Sequence, residues 1–170
     1  MGAVHAAHAL GPRRSSARDT TKDRLGVATA LGATDVIVTR DGDEVQERVM
    51  ELTGGAGVAA VLQTVFSTES MRLSQSCVRP LGRVSCVGME QLAGVAAEVD
   101  WVDQFMRNVT ITGGIVPGPG YLGGLLERLA EGQIDPGPMF TQTLPLDQVP
   151  EAYPMMAKRA EGVVKIALRQ

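Results

Sequence analysis

Four short apolar runs, separated by segments of helical periodicity and punctuated by glycine, constrain this chain more than any other feature. Val36-Ile37-Val38 is apolar throughout, Val58 to Val65 reads as a second buried strand, and Val84 to Val87 and Val109 to Thr112 read as a third and a fourth. Such runs belong to strands buried on both faces of a parallel sheet. Between them, Asp41 or Asp43 opens a helix whose Val45, Val49 and Leu52 recur at helical spacing until Gly54-Gly55 stops it. Ser67 or Thr68 caps a helix to about Cys77, and Arg79-Pro80-Leu81-Gly82 turns the chain. Trp101 to Arg107 reads as helical, and Tyr121 to Ala130 is a helix with Leu122, Leu125, Leu126 and Leu129 on its buried side. Strands alternating with helices of this length predict βαβ units and an α/β fold with a parallel sheet.

The amino terminus breaks the pattern. Gly2 to Leu10 is alanine-rich enough for a helix, but Pro12-Arg13-Arg14-Ser15-Ser16 has neither helical nor strand periodicity, and Ser15-Ser16-Ala17-Arg18 is a poor strand. Thr20 or Thr21 then caps a helix to about Leu31, with Leu25, Ala28 and Leu31 on one face and Gly32 as its stop. With 170 residues there is room for one domain with a core, not two. A net charge of −3 with mixed signs gives no footprint for nucleic acid, and no apolar run approaches a membrane span. Arg13 and Arg14 precede no apolar stretch, so a secretory leader is not expected and the cytoplasm is. Cys77 and Cys86 read as buried thiols rather than a disulfide.

From Leu31-Gly32-Ala33-Thr34-Asp35-Val36-Ile37 onward the succession runs to Ile134-Asp135-Pro136, Thr143-Leu144-Pro145-Leu146 and Val163-Val164-Lys165-Ile166. It resembles the C-terminal, cofactor-binding portion of the medium-chain, zinc-type alcohol dehydrogenases. The resemblance implies a partial Rossmann-type parallel sheet lacking its first strand. It divides the chain into a degenerate segment 1–18, a partial dinucleotide-binding part 19–133, and a tail 134–170 that in the family rejoins the catalytic domain. No G-x-G-x-x-G turn is present; the gapless register puts it just before residue 1, with Gly2-Ala3-Val4 as a weaker remnant. The expectation is therefore a truncated form.

NAD is the cofactor that the resemblance implies, with NADP possible. Asp19 falls where the family's acid accepts the adenosine ribose hydroxyls, and Arg24 at the basic position after it; alternatively Asp19 is a solvated charge at a helix start. Three strand ends fall where the nicotinamide half lies, since ligands bind outside the carboxyl ends of parallel strands. These are Thr64 and Val65; Val87, Gly88 and Met89; and, after Gly113, Gly114, Ile115 and Val116. Phe66 stands where the family usually has glycine and crowds the first of them. Lys165 matches a basic position that reaches the pyrophosphate, or is a plain exposed lysine on an edge strand.

The family's catalytic zinc needs Cys, His and a carboxylate, and its structural zinc four cysteines. Two cysteines, with His5 and His8 without acid or cysteine at ligand spacing, make no metal site in this chain. No general base with an orienting partner and no G-x-S-x-G turn is found, so no catalytic residue is assigned. Pro154 removes a hydrogen bond from the helix expected after Asp147. The leading expectation is an alcohol dehydrogenase-type oxidoreductase, inactive as this chain alone, whose substrate is a small alcohol or aldehyde. The alternative is a non-catalytic dimerisation or binding module, with homo-oligomers formed through the strand at 109–112.

Overall fold

The computed structural model describes residues 1–65, 67–88 and 98–170, so Phe66 and Met89 lie outside the described residues. The chain forms two compact units, one of residues 1–40 with 118–170, the other of residues 41–117.

In the first unit, α1 (Gly2–Ala9) leads to β1 (Ser16–Asp19), α2 (Lys22–Ala30) and β2 (Asp35–Val38). β1 and β2 are parallel, with Ala17 opposite Val36 and Asp19 opposite Val38. The poor strand of the sequence is therefore a real one. Only Ala17 of its four residues is buried, and that suffices because one inward residue anchors a period-two element. The rest is fixed from a distance: the Thr34 and Asp35 amides both donate to the Ser15 carbonyl, at 2.9 and 3.1 Å. Ala17, Leu25, Ala28 and Ala33 form a small core, with Met1 and Val4 packed against it. Gly32 ends α2 at φ +96°, and the His8 ring lies where a Cβ would stand, 2.2 Å from that position, so only glycine fits. β2 corrects a second expectation. Ile37 is buried, but Val36 and Val38 are 43 % and 48 % exposed, so the run is not covered on both faces.

The same unit holds α6 (Gly118–Ala130), β6 (Phe140–Pro145), α7 (Val149–Ala157) and β7 (Lys165–Arg169), with β6 parallel to β7. Pro154 sits inside α7, which nevertheless continues, the Lys158 amide donating to the Pro154 carbonyl at 2.9 Å. The leucine stripe of α6 is the largest correction. Leu122, Leu125, Leu126 and Leu129 are 44 % to 57 % exposed, and no residue of the helix is buried. Periodicity identifies the face that seeks burial and carries no information on whether a partner is present.

In the second unit, α3 (Gly42–Thr53), β3 (Val58–Gln63), α4 (Thr68–Cys77), β4 (Val78–Cys86), α5 (Trp101–Arg107) and β5 (Thr110–Gly113) alternate as predicted, but only Gln63 of β3 and no residue of β5 is buried, so these two strands are not covered on both faces either. The three strands form a parallel sheet in the order β3-β4-β5. Asp41 caps α3, accepting from the Asp43 amide at 2.8 Å, and Val45 and Val49 are buried. Ser67 caps α4 in a reciprocal arrangement with Ser70. The expected turn at Arg79-Pro80-Leu81-Gly82 lies inside β4 instead. Val78 pairs with Val58 and Arg83 with Ala60, so the intervening residues bulge from the ladder, Leu81 at φ +60°. Cys77 is buried, Cys86 half-buried, and both are free thiols. No helix among the described residues is long and apolar enough to cross a membrane.

Candidate functional site

Parallel pairing sets the three strand ends of the second unit at one level. Gln63 is the register partner of Cys86, and Cys86 of Gly113. The residues that follow are Thr64 and Val65, Val87 and Gly88, and Gly114 to Val116, which the sequence singled out. Val65, Val87, Ile115 and Val116 are exposed there, an apolar surface at the carboxyl edge of the sheet. The Gln63 carbonyl accepts from the Val87 and Gly88 amides at 2.9 and 3.2 Å. A Cβ on Gly88 would meet the Thr64 carbonyl oxygen at 1.9 Å, so glycine is required by the approach of two backbones. Around Gly114 a Cβ would meet nothing within 4 Å, which leaves room for a ligand to approach.

One side chain that the sequence did not single out organises this edge. Gln63 is 4 % exposed, and its Nε2 donates to Ser70 Oγ at 2.9 Å, while its Oε1 is buried without a partner among the described residues. The available signal was a polar residue closing an apolar run four positions before a helix cap.

In the first unit, Asp19 and Arg24, singled out separately, are paired. Arg24 Nε donates to Asp19 Oδ2 at 3.1 Å and the Thr21 amide to Asp19 Oδ1 at 3.1 Å, so the carboxylate is oriented across the start of α2. Lys165 opens β7 and is exposed. The α-amine of Met1, at the start of α1, is held below its usual value by burial, then by the positive charge of Arg24 and more weakly by that of Lys165, against the opposing pull of Asp19. A cleft of about 350 Å³ is lined by Thr21, Asp23, Arg24 and Val27 and by Arg159 to Val164, so of Asp19, Arg24 and Lys165 it takes in Arg24.

The larger cleft, about 760 Å³ in the second unit, contains none of the residues singled out. Its charges are matched internally: Arg72 pairs with Glu98 at 3.4 Å, and Arg107 binds Asp103 and the Val78 and Gln75 carbonyls. Gln104 bonds to Gln75 at 3.2 Å beneath. We read it as a scaffold tying α4 to α5. Among the described residues no three of His, Cys, Asp and Glu gather, and both His5 ring nitrogens are buried without a partner. The donors present do not fit a zinc ion, and no step is derived through one.

Residues 1–131 match the family described as zinc-binding dehydrogenase. The zinc-type alcohol dehydrogenase B of Aspergillus flavus is 30 % identical over 156 residues, covering 90 % of this chain and 35 % of the relative. A zinc-dependent alcohol dehydrogenase 2 from Streptococcus pneumonia superposes with a TM-score of 0.87 at 24 % identity, over 99 % of this chain and 48 % of that one. A solved NAD-dependent alcohol dehydrogenase matches at a TM-score of 0.82 and 25 % identity, over 99 % and 47 %. The chain spans less than half the length of these relatives.

Proposed function

Since this chain belongs to the zinc-binding dehydrogenase family, within its zinc-type alcohol dehydrogenases, we propose that it serves as the dinucleotide-binding portion of an NAD(P)-dependent alcohol dehydrogenase-type oxidoreductase. The observation that carries this reading is the common level of the three strand ends after Gln63, Cys86 and Gly113. Asp19 accepts the adenosine ribose hydroxyls and disfavours a 2′-phosphate, which selects NAD over NADP. Arg24 holds that carboxylate in place, and Lys165 offers charge to the pyrophosphate. Thr64, Val65, Val87, Gly88, Gly114, Ile115 and Val116 line the nicotinamide half, excluding water from one face of the ring; Met89 belongs with them by its sequence position. When bound, the dinucleotide supplies the hydride carrier for interconversion of a small alcohol and its aldehyde or ketone. Residues 19–133 form the dinucleotide-binding part and 134–170 the segment that rejoins a catalytic domain. We assign no catalytic residue to this chain. Its free thiols suit a reducing cytoplasm.

Without a phosphate-cradling glycine turn, NAD⁺ affinity is expected to be weaker than micromolar. Titration followed by saturation-transfer NMR is the test, with NADP⁺ in parallel. Saturable NAD⁺ binding weakened roughly tenfold by Asp19→Ala supports the reading, since a charged partner to a ribose hydroxyl is lost. Absence of any saturable binding sinks it, and a preference for NADP⁺ reverses the role given to Asp19.

A second reading, a dimerisation module, rests on a different observation. The edge strand β5 follows α5, whose Trp101, Val102, Phe105 and Met106 are 73 % to 81 % exposed. An uncharged strand edge beside an apolar helix face favours pairing with a second copy. Light scattering on the purified chain is expected to show a homo-oligomer that Phe105→Glu dissociates; a monomer at high concentration removes this reading.

A further inference from the structure

We propose that Gln63 and Ser70 are positioning residues for the candidate site, setting the backbone that joins β3 to α4 and through it the affinity for the dinucleotide. This rests on the dinucleotide reading. Gln63 holds the strand ends by two separate grips. Its carbonyl takes both the Val87 and the Gly88 amide, which joins the end of β3 to the end of β4. Its side chain reaches the other way, to the Ser70 hydroxyl at 2.9 Å in the first turn of α4.

Ser70 is the hub of that link. Its oxygen accepts from Gln63 Nε2 and from the Ser67 amide, the latter at 3.1 Å. Its proton goes to the Val65 carbonyl, the nearer of two in reach, the Ser67 carbonyl lying at 3.2 Å. Two accepted bonds and one donated bond use the full capacity of a hydroxyl. The Val65 carbonyl is thereby turned toward α4, which holds the end of the segment formed by Thr64 and Val65, two of the residues assigned to the ligand. Nothing in capping the helix requires this, because the Ser70 amide already bonds Ser67 Oγ at 3.1 Å.

The unmet Gln63 Oε1 makes the idea testable. An apolar residue of equal length at 63 removes one hydrogen bond and also one buried acceptor without a partner, two effects of opposite sign on stability. Gln63→Met should therefore leave the fold intact while freeing the Val65 peptide.

The test is NAD⁺ titration of the full chain by saturation-transfer NMR, with a thermal melt of each variant. Gln63→Met and Ser70→Ala are each expected to weaken NAD⁺ binding about fivefold, the loss of one positioning bond. The midpoint of Gln63→Met should match the parent, and Ser70→Thr, which keeps the hydroxyl, should bind normally. Parent-like binding by Gln63→Met, or weakening that only tracks a lowered midpoint, overturns the proposal and leaves the dinucleotide reading standing. No binding by the parent chain overturns that reading, and this proposal with it. Should Ser70→Ala fail to fold, Gln63→Met decides alone.

Discussion

Helices α3 and α6 carry the same kind of sequence and meet different fates. Each has large apolar residues at helical spacing with charges on the opposite side. In α3 the stripe is spent: Val45 and Val49 are buried within their own unit, and the helix is closed by an Asp41 cap and by Gly54 in the left-handed region. In α6 the four leucines remain about half exposed. Amphipathicity is thus a statement of demand, and tertiary structure decides whether the demand is met. The strand runs repeat the lesson, since Val84 is fully buried in the middle of β3-β4-β5 whereas Val36 and Val38 in the two-stranded β1-β2 sheet are not.

Truncation separates the two helices most sharply. Val49→Ala should cost about 1–3 kcal/mol in denaturant unfolding, the loss of buried methyls plus a residual cavity. Leu126→Ala should cost less than about 0.5 kcal/mol, because a side chain already half in water forfeits little. Equal costs would mean that α6 is covered in solution and that the contrast is false.

An effect smaller than that of Val49→Ala concerns the scaffold of α4 and α5. Hydrogen bonding from Arg107 holds the Asp103 carboxyl below its ordinary value. A folded pKa below the unfolded one means that the unfolded chain takes up the proton first as pH falls. The contribution is complete above the unfolded value, near 3.9, and is lost as pH drops through the depressed folded one. Asp103 is partly exposed, which limits the pair to about 1 kcal/mol or less. Asp103→Asn should lower stability by that amount at neutral pH, with the gap closing below pH 4. A gap that persists at pH 2 would show that Asp103 acts by packing rather than charge.

What the sequence made legible were the features written locally. α5 was readable to the residue because Asp100 caps it, accepting from the Asp103 amide, and Asn108 leaves it in the left-handed conformation. The strand ends were readable because glycines and apolar runs mark them. β1 was not, since what makes Ser16 to Asp19 a strand is Val36 opposite Ala17 and Thr34 against Ser15, partners 19 residues away. The bulge in β4 was taken for a turn because Pro80 and Gly82 are turn residues, and only pairing with β3 on both sides shows that the ladder resumes. In the candidate site, Asp19 and Arg24 were found because they fall where the resembled family carries an acid and a following base. The Gln63–Ser70 link was missed because it crosses from a strand to a helix through a side chain with no pattern of its own.

The division into two units has a consequence for synthesis. Residues 41–117 are continuous, so every strand of the β3-β4-β5 sheet has been synthesised before α6 is. The other unit is split, its first forty residues waiting for partners in 118–170. At about 5–20 residues per second that wait lasts several seconds. Residues 1–40 are therefore made before 41–117 and completed after them, since their unit closes only once 118–170 has been synthesised.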